Sequence, residues 1–410
     1  MASESGESRY GGIDTHKDIH VVAVIDGVGR LIATAAFATT AKGYDQLYGW
    51  LVAGGPIESV GIEGTGSYGA GIAALLSGHG VVVVEVNRPD RQLRRRHGKT
   101  DTIDAEAAAR SALNGQASGI AKTHDGIVES IRLHRLALTT LRKSRTAAIN
   151  TLRSVLITAP AALRDELEPL TAPALFARCS RLRVDSAPSA DPGHAAKQTL
   201  RTLARQIAAV DTELDKLRAG LTTLAESANP ELMAARGVGV DSASALLITA
   251  GDNPERMRSE SAFASLCGAS PIEASSGRTV RHRLNRGGDR QANSALWRIA
   301  MIRLNTDPRT QMYAARRRAD GKTEREILRC LKRHIAREIY RLLTDPRPVI
   351  GVRDLRPARH HLGLAMQVAA DQLGVSLTTI SRTERGVRPN HEFAATYRAW
   401  LNDRTPATAA

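Results

Sequence analysis

Apolar and polar positions change their period several times along the chain. Over residues 8–114 short apolar runs alternate with amphipathic stretches. RYGGID, HVVAVID and LIATAAF read as strands, with the turn residues GVG between the last two. YDQLYGWLV reads as a helix, SVGIE as a strand, YGAGIAALL as a helix and VVVVEV as a buried strand. DTIDAEAAARSAL follows as a helix opened by acidic residues. The order β-β-β-α-β-α-β-α puts hairpin strands first and strand–helix alternation after them.

The pattern then turns helical. Ile131, Leu138, Leu141, Leu152 and Val155 keep 3/4 spacing, broken by His134 and Arg145. After the loop DSAPSADPGH, eight consecutive a/d positions are apolar: Leu200, Leu203, Ile207, Val210, Leu214, Leu217, Leu221 and Leu224. Such a seam predicts a coiled coil, either a hairpin folded back on 127–157 or a contact between chains. ARGVGVDSASALLITAG (235–251) enters a helix through Gly-Val-Gly, as a helix-hairpin-helix turn or as an ordinary helix start. In MQVAADQLGVSLTTISRTERGVRPN, apolar Ala369, Leu373, Val375 and Ile380 frame a turn at Gly374, with Ser376 as N-cap. This resembles the helix-turn-helix of Cro-type repressors, whose second helix here presents Thr378, Thr379, Ser381 and Arg382 to a major groove. A capping helical pair that touches no DNA is the alternative. The predicted divisions are 1–123, 124–228, 229–345 and 346–410.

Composition narrows the class. Aromatics are 3% of 410 residues, so the cores rest on Leu, Ile, Val and Ala. Cys179, Cys267 and Cys330 lie far apart without a C-x-x-C pair, which argues against a disulfide framework or structural zinc. MASESGESRY has no apolar signal-peptide core and no stretch reaches 18 apolar residues, so a soluble cytoplasmic protein is expected. Net charge is +15, and between Arg278 and Arg359 there are 22 Lys/Arg against eight Asp/Glu. Nearly the whole excess sits in that one fifth of the chain. A solvated helix face is the plain reading. Concentration of this degree favours a polyanion, because cations that neutralise phosphates release condensed counterions. Nucleic acid is the expected partner and a membrane surface is not, since the arginines lack an interleaved apolar face.

Two chemistries compete at SVGIEGTGSYGAGIAALL (59–76). Gly64, Gly66 and Gly69 spell G-x-G-x-x-G, with Glu85 at the distance a dinucleotide site uses. A doubly wound domain, however, carries that turn after its first strand, whereas here it follows the fourth. Glu63, directly before Gly64, would also crowd a pyrophosphate. The dinucleotide reading is rejected. In the alternative, Asp14 ends the first strand and Glu63 the fourth, neighbours in an RNase H-like sheet. Asp101 and Asp104, three apart, share one face of the following helix. Four convergent carboxylates call for a hard divalent cation, Mg²⁺ or Mn²⁺. Two such ions can stabilise both the attacking and the leaving oxygen of a phosphodiester. Taken singly, each carboxylate also has an ordinary role at a strand end or helix N-terminus.

YGGIDTHKDIHVVAVID, GIEGTGSYG and GKTDTIDA together resemble the three DEDD motifs of serine-containing insertion-sequence transposases, relatives of the pilin-gene invertases with a RuvC-like domain. MAARGVGVDSASALL and SLCGASPIEASSGRTVRHRLNRGGDRQANSAL resemble the transposase domain of the same family, so the likeness runs from residue 8 to about 343. It implies a RuvC-like (RNase H-like) α/β domain at 1–123 and a mostly helical serine transposase domain; the apolar seam adds a helical coiled-coil region between them and the Cro-like pattern a C-terminal helix-turn-helix tail. It gives Asp14, Glu63, Asp101 and Asp104 the metal-ligand positions. It places a nucleophilic serine at Ser276, before Gly277; the family's Asp-Ser-Gly stands here as Ser275-Ser276-Gly277. Metal ions and Arg278, Arg281, Arg283 and Arg286 would neutralise charge there and grip nucleic acid. The likeness further implies double-stranded DNA as substrate, a noncoding bridge RNA as guide, a dimer or tetramer, and a bacterial, nucleoid-associated location. The tail is an addition that many relatives lack. A hydrolytic junction resolvase on the same scaffold and a non-catalytic repressor are the rival functions.

Overall fold

The computed structural model describes residues 8–86, 100–115, 119–185, 190–278, 282–285, 287–347, 351–352, 354–386 and 391–404. Contacts divide the chain into two compact units, residues 130–233 and the rest.

The larger unit opens with β1 (Arg9–Thr15), β2 (Ile19–Asp26), β3 (Leu31–Ala38), α1 (Ala41–Val52), β4 (Ser59–Glu63), α2 (Ala70–Gly78), β5 (Val83–Val86), α3 (Asp101–Leu113) and the short β6 (Gly119–Ile120). Among the described residues of 8–114 the strands and helices follow the predicted order. The sheet runs β3-β2-β1-β4-β5-β6. β1 pairs antiparallel with β2 and parallel with β4, so the strands ending in Asp14 and Glu63 are neighbours, Ile13 lying opposite Ile62. β4 and β5 are parallel, as a helical crossover through α2 allows.

Side chains alternate across a strand, and the two faces of this sheet are covered differently. One face buries Ile13, Val22, Val24, Val60 and Ile62 against Leu47 and Leu51 of α1 and Ile72 and Leu76 of α2. The other carries Gly12, Ala23 and Gly61, and α3 lies directly on it. A Cβ on Gly12 would come within 2.1 Å of the Ala105 carbonyl oxygen, and one on Gly61 within 2.4 Å of that of Ala108. Buried Ala105, Ala108 and Ala109 complete the contact from the helix side. Small residues on both surfaces thus set the height of α3 above β1 and β4. Thr100 caps the helix by accepting from the Ile103 N–H.

In the same unit follow α9 (Val240–Ala250), α10 (Glu260–Leu266), the two-residue strands β7 (Ile272–Glu273) and β8 (His282–Arg283), α11 (Arg290–Thr306), α12 (Pro308–Ala319) and α13 (Glu324–Thr344). Asp289 caps α11 and also accepts from Thr249 Oγ1 at 2.8 Å. The chain ends in α14 (Leu355–His361), α15 (Met366–Leu373), α16 (Leu377–Glu384) and α17 (His391–Asn402), built around Leu355, Ala369, Ile380, Tyr397 and Leu401. Gly374, at φ +66, turns the chain between α15 and α16, and Ser376 caps α16, as expected from the sequence.

The smaller unit holds most of α4 (Ile127–Thr158), then α5 (Ala161–Leu167), α6 (Ala172–Ser180) and α7 (Pro192–Ala228), with α8 (Pro230–Ala234) at its end. Leu152 and Leu156 of α4 share a core with Leu200, Ala204 and Ile207 of α7, and Arg145 pairs with Asp211. The hairpin alternative describes these contacts. Along the α7 seam, Leu200, Ile207, Leu214 and Leu221 are buried, while Leu203, Val210, Leu217 and Leu224 are half-buried. Among the described residues no helix is long and apolar enough to cross a membrane.

Candidate active site

Strand parity decides which way the carboxylates face. Asp14 lies two residues beyond Gly12, and Glu63 two beyond Gly61, so both belong to the face covered by α3. The close seating of α3 then brings its first turn, with Asp101 and Asp104, over the same strand ends. Asp14 and Asp104 are buried, Glu63 half-buried and Asp101 exposed. Thr15 turns to the other face, where its hydroxyl donates to the Glu63 carbonyl oxygen at 2.8 Å and ties β1 to β4 beside the site.

His16 is the residue that the sequence reading missed. Its Nε2 lies 3.1 Å from Asp14 Oδ2 and 3.4 Å from Asp101 Oδ1. One ligand atom from each of Asp14, His16 and Asp101 lies within 4.8 Å of the others, close enough to hold a metal ion. The available signal was the i, i+2 spacing from Asp14, which keeps a side chain on one face of a strand. His20, in the same motif, does not join: it is buried and stacks on Tyr44 with ring centroids 5.6 Å apart.

Among the described residues, the groups that act on Asp14 are more negative than positive. Burial lifts the Asp14 carboxyl above its ordinary value. His16 pulls it back down, while Asp104 and Asp101 push it further up. A cation placed among these groups would remove both the desolvation and the repulsion. Two carboxylates, Asp14 and Asp101, and one imidazole converge here, a donor set richer in oxygen than nitrogen that suits Mg²⁺ or Mn²⁺, the nitrogen favouring the latter. The helix N-terminus contributes a weaker favourable field to Asp101 and Asp104.

The turn after Glu63 is tight. Gly64 takes φ +72, and its carbonyl oxygen accepts from Ser67 N at 2.9 Å, Ser67 Oγ at 3.1 Å and Gly69 N at 3.2 Å. A Cβ on Gly69 would touch Ile62 and Thr15 at about 3 Å. Gly64 and Gly69 therefore let the chain fold sharply beside the acidic group.

The other predicted residues are not gathered here. Ser276 is exposed, strand-paired just before the turn that Gly277 opens at φ +57. Among the described residues no hydrogen bond or ion pair joins Ser276 to the acidic group. Arg278 and Arg283 are exposed; Arg281 and Arg286 lie outside the described residues. Several cations of the basic block are already engaged: Arg303 pairs with Glu338 at 2.6 Å, Arg337 with Glu260 at 2.8 Å, and Arg333 also with Glu260. Arg290, Arg309, Arg316, Arg325 and Arg329 remain on the surface. On α16, Thr378 and Arg382 are exposed, and Thr379 and Ser381 half-buried. Thr379 is partly occupied by the cap, its hydroxyl 2.9 Å from that of Ser376.

Residues 11–159 match the DEDD transposase family of IS110 type, and residues 229–315 match the transposase IS116/IS110/IS902 family. A Streptomyces coelicolor protein described as "Insertion element IS110 uncharacterized 43.6 kDa protein" is 33% identical over 147 residues, 35% of this chain and 36% of that protein. The chain thus aligns with little more than a third of that relative's length. The two family segments include all four acidic positions and Ser276, and together they take in more than half of the chain, which by them carries both domains of the IS110-family transposases.

Proposed function

We propose that this chain is an insertion-sequence transposase that cuts and rejoins DNA at the acidic site, with Ser276 as nucleophile. The observation that carries the reading is the convergence of Asp14, His16 and Asp101 on the strand-end face that Glu63 and Asp104 share. Asp14, Glu63, Asp101 and Asp104, with His16, would hold Mg²⁺ or Mn²⁺, and the bound ion would supply charge neutralisation at a scissile phosphate. Ser276 Oγ would attack phosphorus and pass its proton to a base. A P–Oγ bond forms as the P–O bond to the departing strand breaks, and that strand leaves as a hydroxyl. Attack by a second DNA hydroxyl reverses the step and restores the serine, so no external energy source is needed. Arg278, Arg281, Arg283 and Arg286 would hold the backbone near the serine.

In this reading a bridge RNA selects the DNA, the exposed arginines of the basic block bind nucleic-acid backbone, and α15–α16 act as a helix-turn-helix through Thr378, Thr379, Ser381 and Arg382. The half-buried row of α7 joins protomers, so that a serine of one subunit can serve the acidic group of another. A second reading has its own support. Because Ser276 is exposed and makes no bond to the acidic group, a hydrolytic nuclease on the same scaffold fits the described residues too.

Incubation with DNA and Mg²⁺ followed by denaturing electrophoresis separates the two. A protein–DNA adduct that Ser276→Ala removes and Ser275→Ala retains is expected. Clean nicks without an adduct would establish the hydrolytic reading instead. RNA that copurifies with the protein is the matching test of guidance.

A further inference from the structure

One non-glycine residue among those described has a left-handed backbone, and it lies outside the acidic motifs. His124 takes φ +54 in the segment between β6 and α4. Non-glycine residues rarely adopt this conformation, and it persists only where the surroundings over-determine it. Here they do. Lys122 Nζ donates to the Ile248 carbonyl at 2.6 Å, and Asn253 Nδ2 to that of Ala121 at 3.0 Å. Arg256 reaches the Ile120 carbonyl at 3.2 Å. Asp252 accepts from the Val128 and Glu129 N–H groups at 2.7 and 3.2 Å. Residues 248–256 of the downstream domain therefore hold the segment in place.

The ring is oriented as well. His124 Nδ1 is 2.9 Å from Glu129 Oε2, so Nδ1 carries a proton and donates it to the carboxylate. His124 Nε2 lies on the side of Gly66 where a side chain would stand: a Cβ built there would have it, at 3.9 Å, as its one neighbour within 4 Å beyond the adjoining residues. Gly66 is the midpoint of the turn that leaves Glu63. Three hydrogen bonds converge on the Gly64 carbonyl within that turn, which leaves it little slack, and Thr15 fixes the Glu63 carbonyl next to Asp14.

We propose that His124, oriented by Glu129, is a positioning residue for the acidic site. It braces the Gly64–Gly69 turn at Gly66, sets Glu63 against Asp14, and carries the docking of residues 248–256 through to the metal-ligand face. The proposal rests on the acidic group being a metal site. It assigns to a segment without acidic motifs a share in metal affinity, since groups that orient ligands typically change that affinity by about 10- to 100-fold.

The test is Mn²⁺ binding to the DNA-free full-length protein, by calorimetry and by the loss of the free-ion electron paramagnetic resonance signal. His124→Gly accepts the left-handed backbone without strain, which offsets the lost Glu129 hydrogen bond and the added chain entropy, so its Tm should stay close to that of the wild type. Its Mn²⁺ affinity should nevertheless fall by about tenfold. His124→Asn tolerates the same backbone and keeps a donor for Glu129, and should recover part of the loss. Glu129→Gln leaves the His124 backbone alone and should weaken binding in the same direction, which carries the test if the glycine variant unfolds. Wild-type Mn²⁺ affinity in both His124→Gly and Glu129→Gln would overturn the proposal while leaving the metal site intact. A wild-type protein that binds no Mn²⁺, or binds it as tightly after Asp14→Asn, would overturn the metal reading and this proposal with it.

Discussion

Two buried polar clusters in this chain have opposite electrostatic character. At the C-terminal end, Arg359 donates to Glu384 through Nε at 2.6 Å and Nη2 at 3.0 Å, and Tyr397 donates to the same carboxylate at 2.7 Å. All three are buried. Burial alone would raise the Glu384 carboxyl, yet Arg359 and Tyr397 outweigh it and leave the group below its ordinary value. In the first domain, Asp14 is also buried, but its neighbours are Asp101, Asp104 and one histidine, and its carboxyl is raised. The first cluster neutralises itself and needs nothing from outside. Among the described residues the second carries an excess of carboxylates, which the proposed cation would offset. Neutralisation within the fold marks a structural polar cluster, and a charge deficit on a shared face marks a binding one.

The comparison is tested most severely at Glu384. Glu384→Gln strands a buried guanidinium, which typically costs about 3–5 kcal/mol. The C-terminal helices should melt early, followed by Trp400 fluorescence, while Mn²⁺ binding stays at the wild-type level. Loss of Mn²⁺ binding in this variant would mean the two clusters are not independent.

A ligand-dependent effect comes next. Mn²⁺ at a hundredfold excess over its dissociation constant should stabilise the wild-type fold by about 2.7 kcal/mol. Asp14→Asn should abolish that gain and strand cleavage together. Without metal, Asp14→Asn should leave the Tm unchanged or raise it, because it removes a buried charge among like charges. A metal-free Asp14→Asn protein that is strongly destabilised would show the cluster to be structural after all.

Gly12→Ala acts on the same cluster through packing. The added methyl would meet backbone atoms of α3 at 2.1–2.2 Å, so the helix must rise. Overpacking of this kind costs about 1–3 kcal/mol. It should also weaken Mn²⁺ binding, since Asp101 and Asp104 move with α3. Gly277→Ala is the contrast: at φ +57 with no atom near its Cβ, it should cost about 1 kcal/mol through backbone strain alone and leave metal binding unchanged.

These variants also show how much could be read before the fold was seen. Period-2 runs and turn residues gave the strands over 8–114. The RNase H-like order then made Asp14 and Glu63 neighbours, and spacing put Asp101 and Asp104 on one helix face. His16 was within reach of the same parity rule but lies beyond the pattern of apolar positions, so nothing in hydropathy selects it. Gly12 and Gly61 look like weak points in strands, and only with Ala105, Ala108 and Ala109 opposite do they become a close-packed surface. The basic block reads as free charge because Glu260 and Glu338 are distant in sequence from, or indistinguishable beside, the arginines they engage. His124 leaves no trace in sequence, since its strain is imposed by contacts from residues 248–256.

The smallest effect expected, and the one that bears most directly on the sign of the two clusters, is their response to pH. Glu384 has a depressed folded value, so its contribution is present above the ordinary glutamate value and is lost as pH falls through the depressed one. Asp14 has a raised folded value, so its contribution runs the other way. It is fully present below the ordinary aspartate value and is lost as pH rises through the raised one. Mild acidification from neutral pH should therefore stabilise the metal-free first domain slightly while leaving the C-terminal helices unchanged until the pH falls below about 4.5, the range of an unperturbed glutamate. Trp50, packed on Phe37, and Trp400, beside Tyr397, report the two regions separately once the exposed Trp297 is replaced by Phe. Asp14→Asn should flatten the acid response at Trp50, and saturating Mn²⁺ should reverse its sign, because protons then compete with the ion. Parallel pH responses at both tryptophans would remove the distinction between a self-neutralised cluster and one that awaits a cation.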